Sequence, residues 1–491
     1  MAVKDQSTKI KVQSSGPPLR VAILSSEAAP FAKVGGLADV SGALTKALRA
    51  EDVDSFLIIP LYDQIDRKLS GDQFIDDLEV EWRGGRPRIS VWQSDALKAP
   101  TYLIDAPHYF ARGKIYGETD DFERFAFFCR AAIALLKRLG DAPDIVHCND
   151  WPCGFAPVEL RARKQHERIF ADTKVLFSIH NIAYHGAFDP SNLWWLDFAN
   201  YTDDFMLSGA ASALKAGIIA ADALSTVSPR YAREIQTSEQ GYGLEWLLCA
   251  RSKRLAGITN GVDYEVWNAA TDPHIAAPFT AGDLRGKREC KLDLLRRFGL
   301  PEEPDRPIIA MISRLVAQKG YDLIKQSATR ILDTGTFFIA LGAGAREYED
   351  FLQSWHDHAP HRVGIYKGFA GEPLAHQIEA GADLFLMPSW YEPCGLNQMY
   401  SMRYGTIPVV RATGGLDDTV ENYDPATGKG HGFKFGPYSA SAMLEKIREG
   451  LYFYSEPETW IRIQRNAMAR DNSWSVAAKK YIKLYEDIIK L

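Results

Sequence analysis

The chain has 491 residues, of which 46% are hydrophobic and 24% are charged, and its formal net charge is −6. This length exceeds one ordinary hydrophobic core and indicates two or three domains of globular composition. The acidic balance excludes a global basic field for nucleic acid or anionic membranes, and no apolar stretch approaches the roughly 20 residues that span a bilayer.

The start of the chain, MAVKDQSTKI, has no apolar core of the kind that secretory signals carry. We predict a disordered tail over residues 1–19. The six cysteines are scattered along the chain, without the spacing of a disulfide framework. This cysteine usage favours a reducing compartment, and we expect a cytoplasmic protein.

Strand-like apolar runs alternate with helical stretches along the whole chain. They are RVAILSS, SFLIIPL, TYLIDA, DIVHCND, KVLFSIHN and ALSTVS in the first half, and PIIAMIS, TFFIALG, VGIYKGF, LFLMPS and IPVVRAT in the second. Many of these runs are unbroken, which is typical of parallel strands covered on both faces. The alternation occurs twice and therefore predicts an α/β protein with two doubly wound domains.

Three segments depart from this alternation. The stretch LEVEWRGGRPRISVWQ predicts a β-hairpin that turns at Gly84 and Gly85. Turn-rich and proline-rich sequence places the join between the domains within about residues 260–306. The last segment, SVAAKKYIKLYEDIIKL, predicts an amphipathic helix whose inward face carries Val476, Ile482, Tyr485 and Ile489.

The loop FAKVGGLADV follows the first predicted strand and opens a helix. Ligands of open α/β sheets bind at the carboxyl ends of the strands, so loops of this kind from both domains should line one cleft. Gly35 and Gly36 stand at the helix start, where free N–H groups and the positive end of the helix dipole suit an anion. The loop is neither a Walker motif, since Lys33 precedes the glycines instead of following them, nor the three-glycine dinucleotide fingerprint.

Two loops in the second half also suit phosphate groups. In RLVAQKGYDL, Arg314 can bind two oxygens at once and Lys319 adds a point charge, which together would clamp a pyrophosphate. The alternative is a pair of solvated surface cations. In GGLDDTV, Gly414 and Gly415 begin a helix and offer a second amide cradle, or serve only a tight turn.

Polar side chains follow three other predicted strands. Glu392 in WYEPCGLNQMY can accept hydrogen bonds from sugar hydroxyls or stabilise a cationic transition state, or it can merely stabilise a helix dipole. His180 and Asn181 follow one strand of the first half, and Asp150 follows its neighbour. A histidine there can bind a sugar hydroxyl, although a single strand-end histidine is more often structural. Together these groups indicate a site for a diphosphate whose departure is neutralised without a metal ion.

Three further patterns carry less weight. The D-x-D match at 52–54 precedes a strand instead of following one. The histidines of HDHAPH at 356–361 lack cysteines or carboxylates at ligand spacing, and ALGAGAREY lacks the acidic residue that a dinucleotide site requires. We therefore predict neither a bound metal nor a cofactor.

Five segments occur along the chain in the order KVGGLADV, HNIAYHG, SRLVAQKG, PSWYEPCGLNQMYSMRYG and VVRATGGLDDTV. Together they resemble the bacterial glycogen synthase and plant starch synthase family of retaining glucosyltransferases, from about Arg20 to the C terminus. The resemblance implies a GT-B fold, in which two Rossmann-like domains face each other across a deep cleft. We expect an acceptor-side domain at 20–262, a nucleotide-sugar domain at 263–472 and a C-terminal helix at 473–491 that crosses back onto the first domain.

The resemblance also implies a reaction. Members transfer glucose from ADP-glucose, or less often UDP-glucose, to the 4-OH at the non-reducing end of an α-1,4-glucan, with retention of configuration and without a metal. The expected partners are a nucleotide sugar and a glucan or malto-oligosaccharide, and neither nucleic acid nor membrane. A transferase of the same fold with UDP-glucose or a small-sugar acceptor, and a silent glucan-binding relative, are the alternatives. A plastid location would apply in a starch-making lineage.

The site residues implied by the resemblance fall into three groups. The catalytic group comprises His180, Arg314, Lys319 and Glu392. The donor-binding group comprises Lys33, Gly35, Gly36, Asn181, Phe369, Cys394, Gly395, Leu396, Thr413, Gly414 and Gly415. Asp150 and Tyr116 match acceptor-side positions. Phe369 stands where the family often has a tyrosine near the donor base, so the base preference stays open.

Overall fold

Two large β-sheets organise the chain, one in each half. The computed structural model describes residues 18–368 and 371–491, so residues 1–17 of the predicted tail lie outside the described residues. In the first half the strands are β1 (Arg20–Leu24), β2 (Asp54–Pro60), β3 (Asp72–Glu79), β4 (Arg88–Ser94), β5 (Thr101–Asp105), β6 (Ile145–Asn149), β7 (Lys174–Ile179), β8 (Ala187–Phe188), β9 (Met206–Leu207), β10 (Ala210–Ser212), β11 (Ala223–Thr226) and β12 (Leu255–Gly257). In the second half they are β13 (Ile308–Ile312), β14 (Phe337–Gly342), β15 (Val363–Lys367), β16 (Leu384–Met387), β17 (Ile407–Arg411) and β18 (Phe433–Phe435).

The strand order shows the doubly wound topology in both halves. The first sheet has the order β12-β11-β7-β6-β1-β2-β5-β4-β3, the second has the order β15-β14-β13-β16-β17-β18, and a small third sheet joins β8, β10 and β9. The second sheet is parallel throughout, whereas β3–β4 and β4–β5 in the first sheet are antiparallel. Each of the eleven predicted apolar runs contains a strand. The predicted α/β fold is therefore confirmed, and the two sheets define a first and a second domain.

Helices connect the strands and cover both sheets. Their bounds are α1 (Gly36–Ala50), α2 (Pro107–Phe110), α3 (Asp121–Leu139), α4 (Phe155–Arg163), α5 (Asn192–Trp195), α6 (Thr202–Phe205), α7 (Ala213–Ala220), α8 (Pro229–Glu234), α9 (Glu245–Ala250), α10 (Arg285–Arg297), α11 (Tyr321–Leu332), α12 (Arg346–His358), α13 (Gly371–Gly381), α14 (Asn397–Arg403), α15 (Gly414–Thr419), α16 (Ala440–Tyr454), α17 (Pro457–Ala469) and α18 (Trp474–Ile489). The apolar faces between the layers form the core of each domain, since parallel strands must be covered on both sides.

The predicted hairpin is present. β3 and β4 pair antiparallel, and Trp82 and Gly85 exchange backbone hydrogen bonds of 2.9 and 3.0 Å at the turn. Gly84 has a φ of +70°, a conformation that glycine adopts without the penalty of a Cβ. The turn therefore forms where the glycine pair predicts it.

The last helix, α18, packs on the first domain against α1 and β7. Its buried face carries Trp474, Ala477, Ala478, Tyr481, Tyr485 and Ile488. The prediction that Val476 and Ile489 point inward is wrong, because these side chains are 37% and 43% exposed. The large rings of Trp474, Tyr481 and Tyr485 are buried at helical spacing, so the buried stripe runs through Ala477 and Ala478 and leaves Val476 and Ile489 at its edges.

The segment between the domains is fixed to the second domain by stacked rings. Trp267 lies between His376 and Tyr400, with ring centroids 3.8 and 3.9 Å away. Tyr400, which follows Glu392 by eight residues in the chain, thus packs its ring against the connecting segment. The domain limits 20–262, 263–472 and 473–491 stay a prediction.

Candidate active site

A cavity of about 620 Å³ lies between the domains at the carboxyl ends of their strands. The first domain lines it with Glu27, Val34, Gly35, Gly36, Leu37, Tyr116, Gly117, Asp121, Asp150, Trp151, Pro152, His180, Asn181, Tyr184 and Val227, and the rest of the lining is Asn260, Arg314, Gln318, Lys319, Glu392, Pro393, Cys394, Gly395, Leu396 and Asn397. A smaller cavity of about 300 Å³ shares Gly35, Arg314, Lys319 and Glu392 with it and extends into the second domain beside β13, β14 and β16. Both volumes are of the size that small-molecule sites have.

Lys319 and Glu392 form an ion pair at the junction of the two cavities. The Lys319 ammonium donates to Oε2 of Glu392 at 2.6 Å, and the Ser389 hydroxyl donates to the same oxygen at 3.0 Å. Gly320, next to the lysine, has a φ of +80° and lies so close to the Pro388 carbonyl that no Cβ would fit. This close approach places the lysine at the end of β16, where an anionic ligand would compete with Glu392 for it.

Arg314 brings a second positive charge to both cavities from the loop after β13. Its guanidinium donates to the Tyr184 hydroxyl of the first domain at 3.4 Å. The neighbouring Leu315 is fully buried and anchors the loop while the arginine stays exposed. The predicted pair of cations therefore faces the cleft and is not merely a solvated surface pair.

His180 is held in one tautomer by its neighbours. Asn149 donates its amide nitrogen to the Leu24 carbonyl at 3.0 Å, so its side-chain oxygen accepts from Nε2 of His180 at 2.8 Å. Burial lowers the pKa of His180 to about 4, and the ring is neutral near pH 7. The Nε2–H tautomer leaves Nδ1 as a hydrogen-bond acceptor.

Asp150 lies beside His180 on the first-domain wall of the cavity. Its backbone has a φ of +58°, which is strained for a residue with a Cβ. Oδ1 accepts from the backbone amides of His180 and Asn181 at 3.0 and 3.4 Å. Burial nevertheless raises the pKa of Asp150 to about 7, so this carboxyl holds a proton far more readily than an exposed aspartate does.

Just before α1, a carboxylate of the same domain already bonds two backbone amides, while Gly36, the first residue of the helix, lines both cavities. The anion cradle at this helix start stays a prediction. Oε2 of Glu27 accepts from the amides of Val34 and Gly35 at 2.6 and 3.1 Å, and Oε1 accepts from the Tyr116 hydroxyl at 3.0 Å. Burial raises the pKa of Glu27. The sequence interpretation missed this residue, although its position directly after the predicted run RVAILSS is the signal that could have found it.

Lys33 turns away from the cavities. Its side chain is 53% exposed and its ammonium contacts Oδ1 of Asp39 at 2.7 Å. The described lining contains Gly35 and Gly36 but not the lysine. The donor contact of Lys33 stays a prediction.

The loop of Thr413, Gly414 and Gly415 differs from the predicted phosphate cradle. Its residues line neither cavity and lie behind the Glu392 loop, where the Gly415 amide donates to the carbonyls of Glu392 and Pro393 at 3.1 Å each. The Gly414 amide is already bonded to Oε2 of Glu234 at 3.0 Å. The glycines allow close backbone contact, which favours the tight-turn alternative.

The other predicted contacts divide between the cavity and the undescribed part of the chain. Asn181, Cys394, Gly395 and Leu396 line the larger cavity, and burial raises the pKa of the Cys394 thiol to about 12. Phe369 lies outside the described residues.

Within residues 18–368 and 371–491 there is no cluster of three or more histidine, cysteine or acidic side chains arranged to hold a metal ion. Over the same ranges, every helix is too short or too polar to cross a membrane.

Comparison with known proteins decides the family. Residues 20–250 match the family described as "Starch synthase catalytic domain", and residues 295–467 match "Glycosyl transferases group 1". A glycogen synthase of Koribacter versatilis (strain Ellin345) is 44% identical over 480 residues, which cover 95% of this chain and 98% of the relative. This chain belongs to the glycogen synthase and starch synthase family. The resemblance stated from its motifs is confirmed, and the protein is a glycosyltransferase.

Other relatives of this glycosyltransferase agree. A glycogen synthase of Geobacillus stearothermophilus is 42% identical over 479 residues, which cover 96% of this chain and 98% of the relative. The solved catalytic domain of starch synthase IV from Arabidopsis thaliana, bound to ADP and acarbose, matches with a TM-score of 0.89 at 35% identity, covering 96% of this chain and 100% of that one. The fold is therefore GT-B, as the resemblance implied.

Proposed function

We propose that this glycosyltransferase elongates an α-1,4-glucan by transferring glucose from ADP-glucose to the 4-OH at the non-reducing end, with retention of configuration and without a metal ion. The observation that carries the proposal is the cleft itself. One cavity joins two cations of the second domain, Arg314 and Lys319, to His180 and Asp150 of the first. The relatives' names and the ADP and acarbose bound to the starch synthase IV domain support this choice of substrates.

The donor diphosphate would bind the two cations. Arg314 offers a planar fork that can bond two phosphate oxygens, and Lys319 would exchange Glu392, now 2.6 Å away, for a phosphate oxygen. Negative charge on the diphosphate grows as the bond to glucose breaks. Cations fixed in advance stabilise that charge more in the transition state than in the substrate.

The transferred glucose would lie between the Glu392 and His180 loops. Glu392, released from Lys319, can accept from a sugar hydroxyl, as can Nδ1 of neutral His180. Cys394, Gly395 and Leu396 line the same cavity, and their backbone amides would donate to the sugar. A carboxylate near the sugar also favours the positive charge that develops on the anomeric carbon.

The acceptor would approach from the wall formed by Asp150, Trp151 and Tyr116. In the proposed same-face reaction, the 4-oxygen of the acceptor forms a bond to the anomeric carbon while the bond from that carbon to the phosphate oxygen breaks. The 4-OH proton passes to the departing diphosphate oxygen. The configuration is retained because both oxygens use one face of the sugar.

Radiolabel transfer into glycogen tests the proposal. We expect incorporation from ADP-[14C]glucose in EDTA, with less from UDP-[14C]glucose. Incorporation from UDP-glucose alone would keep the reaction and reject the proposed donor. Release of nucleotide on addition of small sugars, without labelled polymer, would reject the glucan acceptor. Absence of turnover by folded protein that binds glycogen would identify a silent relative and reject the proposal.

A further inference from the structure

Two short helices, α8 and α15, join the domains beside the cleft. α8 follows β11 in the first domain, and α15 follows β17 in the second. The Arg230 amide near the start of α8 donates to Oδ2 of Asp418 near the end of α15 at 2.7 Å. The Gly414 amide at the start of α15 donates to Oε2 of Glu234 at the end of α8 at 3.0 Å. Each helix therefore supplies the carboxylate that caps the other.

Glu234 uses both of its oxygens in this arrangement. Oε1 accepts from Nε of Arg230 in its own helix at 2.9 Å, while Oε2 also accepts from the Thr413 hydroxyl at 3.3 Å. Its side chain is only 12% exposed. A carboxylate at a helix start is favoured by the helix dipole, and partial burial strengthens that interaction. We call Arg230, Glu234, Thr413, Gly414 and Asp418 the domain joint.

The second-domain side of the joint rests directly on the Glu392 loop. The Gly415 amide donates to the carbonyl oxygens of Glu392 and Pro393 at 3.1 Å. A Cβ at Gly414 would overlap the Glu392 carbonyl, and a Cβ at Gly415 would overlap the backbone of Cys394. With no side chain between these backbones, a displacement of α15 must displace the Glu392 loop.

The first-domain side of the joint is bonded to the His180 loop. Tyr231, which follows Arg230 in α8, is fully buried, and its hydroxyl accepts from the Ile182 amide at 3.1 Å. Ile182 lies two residues after His180. The joint is thus continuous on one side with the His180 loop and on the other with the Glu392 loop, and both side chains line the larger cavity.

We propose that Glu234 and Asp418 are positioning residues that hold the His180 loop and the Glu392 loop at the separation that glucosyl transfer requires, a role that rests on the proposed function. Neither carboxylate lines a described cavity, so each acts through the loops and not on the substrate. Arg314 and Lys319 lie on a different loop of the second domain. Loss of the joint should therefore impair transfer much more than binding of ADP.

The test uses Glu234→Gln, Asp418→Asn and the double variant of the full chain. Glu239→Gln is the matched control, because Glu239 is exposed in the loop after α8. We expect kcat for transfer from ADP-glucose to glycogen to fall at least tenfold in each single variant, while the Kd for ADP measured by calorimetry changes less than about threefold. In the double variant, the fold-loss of kcat should be smaller than the product of the two single fold-losses, because both carboxylates belong to the same joint.

Hydrogen exchange provides a readout that does not depend on activity. Amides of residues 228–236 and 412–418 should exchange at least tenfold faster in both single variants, and those of α18 should not. Wild-type kcat and wild-type exchange in the variants would overturn the positioning role. So would a kcat loss that disappears when each protein is assayed at the same interval below its melting temperature. Thr413→Val removes one hydroxyl of the joint and gives a milder variant should Glu234→Gln fail to fold.

An inactive wild-type protein would reject the proposed function and not the joint. In that case the ADP affinity and the exchange rates still decide whether the two helices hold the domains together. Faster exchange at both helices in either single variant would support the joint. Unchanged exchange would overturn it.

Discussion

Asp150 and Glu392 are both carboxylates of the cleft, yet their surroundings differ. Glu392 has the Lys319 ammonium at 2.6 Å. Asp150 has backbone amides and no cation among its hydrogen-bond partners. Desolvation therefore dominates the pKa of Asp150, whereas Glu392 is held in place by an ion pair. The two residues should respond to different perturbations.

Asp150→Asn should change how stability depends on pH. The pKa of Asp150 in the folded protein, about 7, lies above the ordinary value of 3.8, so the folded state binds this proton more tightly than the unfolded chain does. The contribution of Asp150 to the free energy of unfolding therefore falls as pH rises from about 4 to 7 and is constant above that. A difference of about three pKa units corresponds to ~4 kcal/mol.

Urea unfolding at pH 5, 6, 7 and 8 checks this prediction. We expect Asp150→Asn to gain stability relative to wild type over that range, since asparagine keeps an acceptor for the His180 amide and has no proton to lose. Asp76→Asn, at an exposed position of β3, is the control and should show no such trend. An equal difference between Asp150→Asn and wild type at every pH would contradict the assigned pKa.

Lys319→Ala should reduce kcat/KM for ADP-glucose by at least about 100-fold, the loss typical of a group that stabilises developing charge. The substitution removes a cation from the diphosphate and leaves the buried Glu392 with the Ser389 hydroxyl but no counter-charge. Steady-state kinetics on glycogen provide the measurement. Lys325→Ala, on the exposed face of α11, is the control for loss of a lysine. A change of less than about threefold in the Lys319 variant would exclude it from the reaction.

At the scale of elements, α18 packs on the first domain and makes a buried polar contact with it, from Tyr485 to His147. The Tyr485 hydroxyl lies 2.9 Å from Nδ1 of His147, and the Ser178 hydroxyl lies 2.5 Å from Nε2 of the same ring. Burial lowers the pKa of His147 to about 3, so the ring is neutral and each nitrogen needs one partner. This contact fixes the helix in register on the sheet.

Tyr485→Phe should destabilise the protein by about 1–3 kcal/mol, because it leaves a buried ring nitrogen without a partner. The free energy of unfolding in urea measures the effect, and hydrogen exchange of α18 locates it. Tyr452→Phe is the control, since Tyr452 is 62% exposed on α16. Equal stability of the two variants would show that the hydroxyl of Tyr485 contributes nothing to docking.

At the scale of the whole molecule, the cleft lies between two domains, and a ligand that contacts both should stabilise the folded chain. We expect ADP at 100 times its Kd to add about 2.7 kcal/mol to the free energy of unfolding. The shift should be the same in EDTA and in Mg²⁺, because protein cations are proposed to hold the diphosphate. Calorimetric melting with and without ADP is the measurement, with adenosine as the control ligand. Stabilisation that requires Mg²⁺ would contradict the metal-free proposal.

Much of the fold follows from local sequence. The unbroken apolar runs predicted every strand that forms the cleft. A strand that is covered by helices on both faces of its sheet needs apolar side chains at consecutive positions. The glycine loops also lie where strands end, and Arg314, Lys319, His180 and Glu392 share a cavity because parallel strands share a carboxyl edge. The inward face of α18 was harder to predict, since its buried stripe combines three large aromatic side chains with two alanines, and local hydrophobicity does not single out the alanines.

The sequence by itself determined the α/β class, the two-domain plan, the family and the residue types of the cleft, since these depend on periodicity and on contiguous motifs. The tertiary structure alone decided which carboxylates bond the amides at the starts of α1, α8 and α15. Glu27 bonds the amides of Val34 and Gly35 just before α1, and Glu234 reaches Gly414 from 180 residues away along the chain. A local pattern shows that an amide needs an acceptor, but which acceptor lies within hydrogen-bond distance is set by how loops pack within a domain, as for Glu27, and by how the two domains pack, as for Glu234.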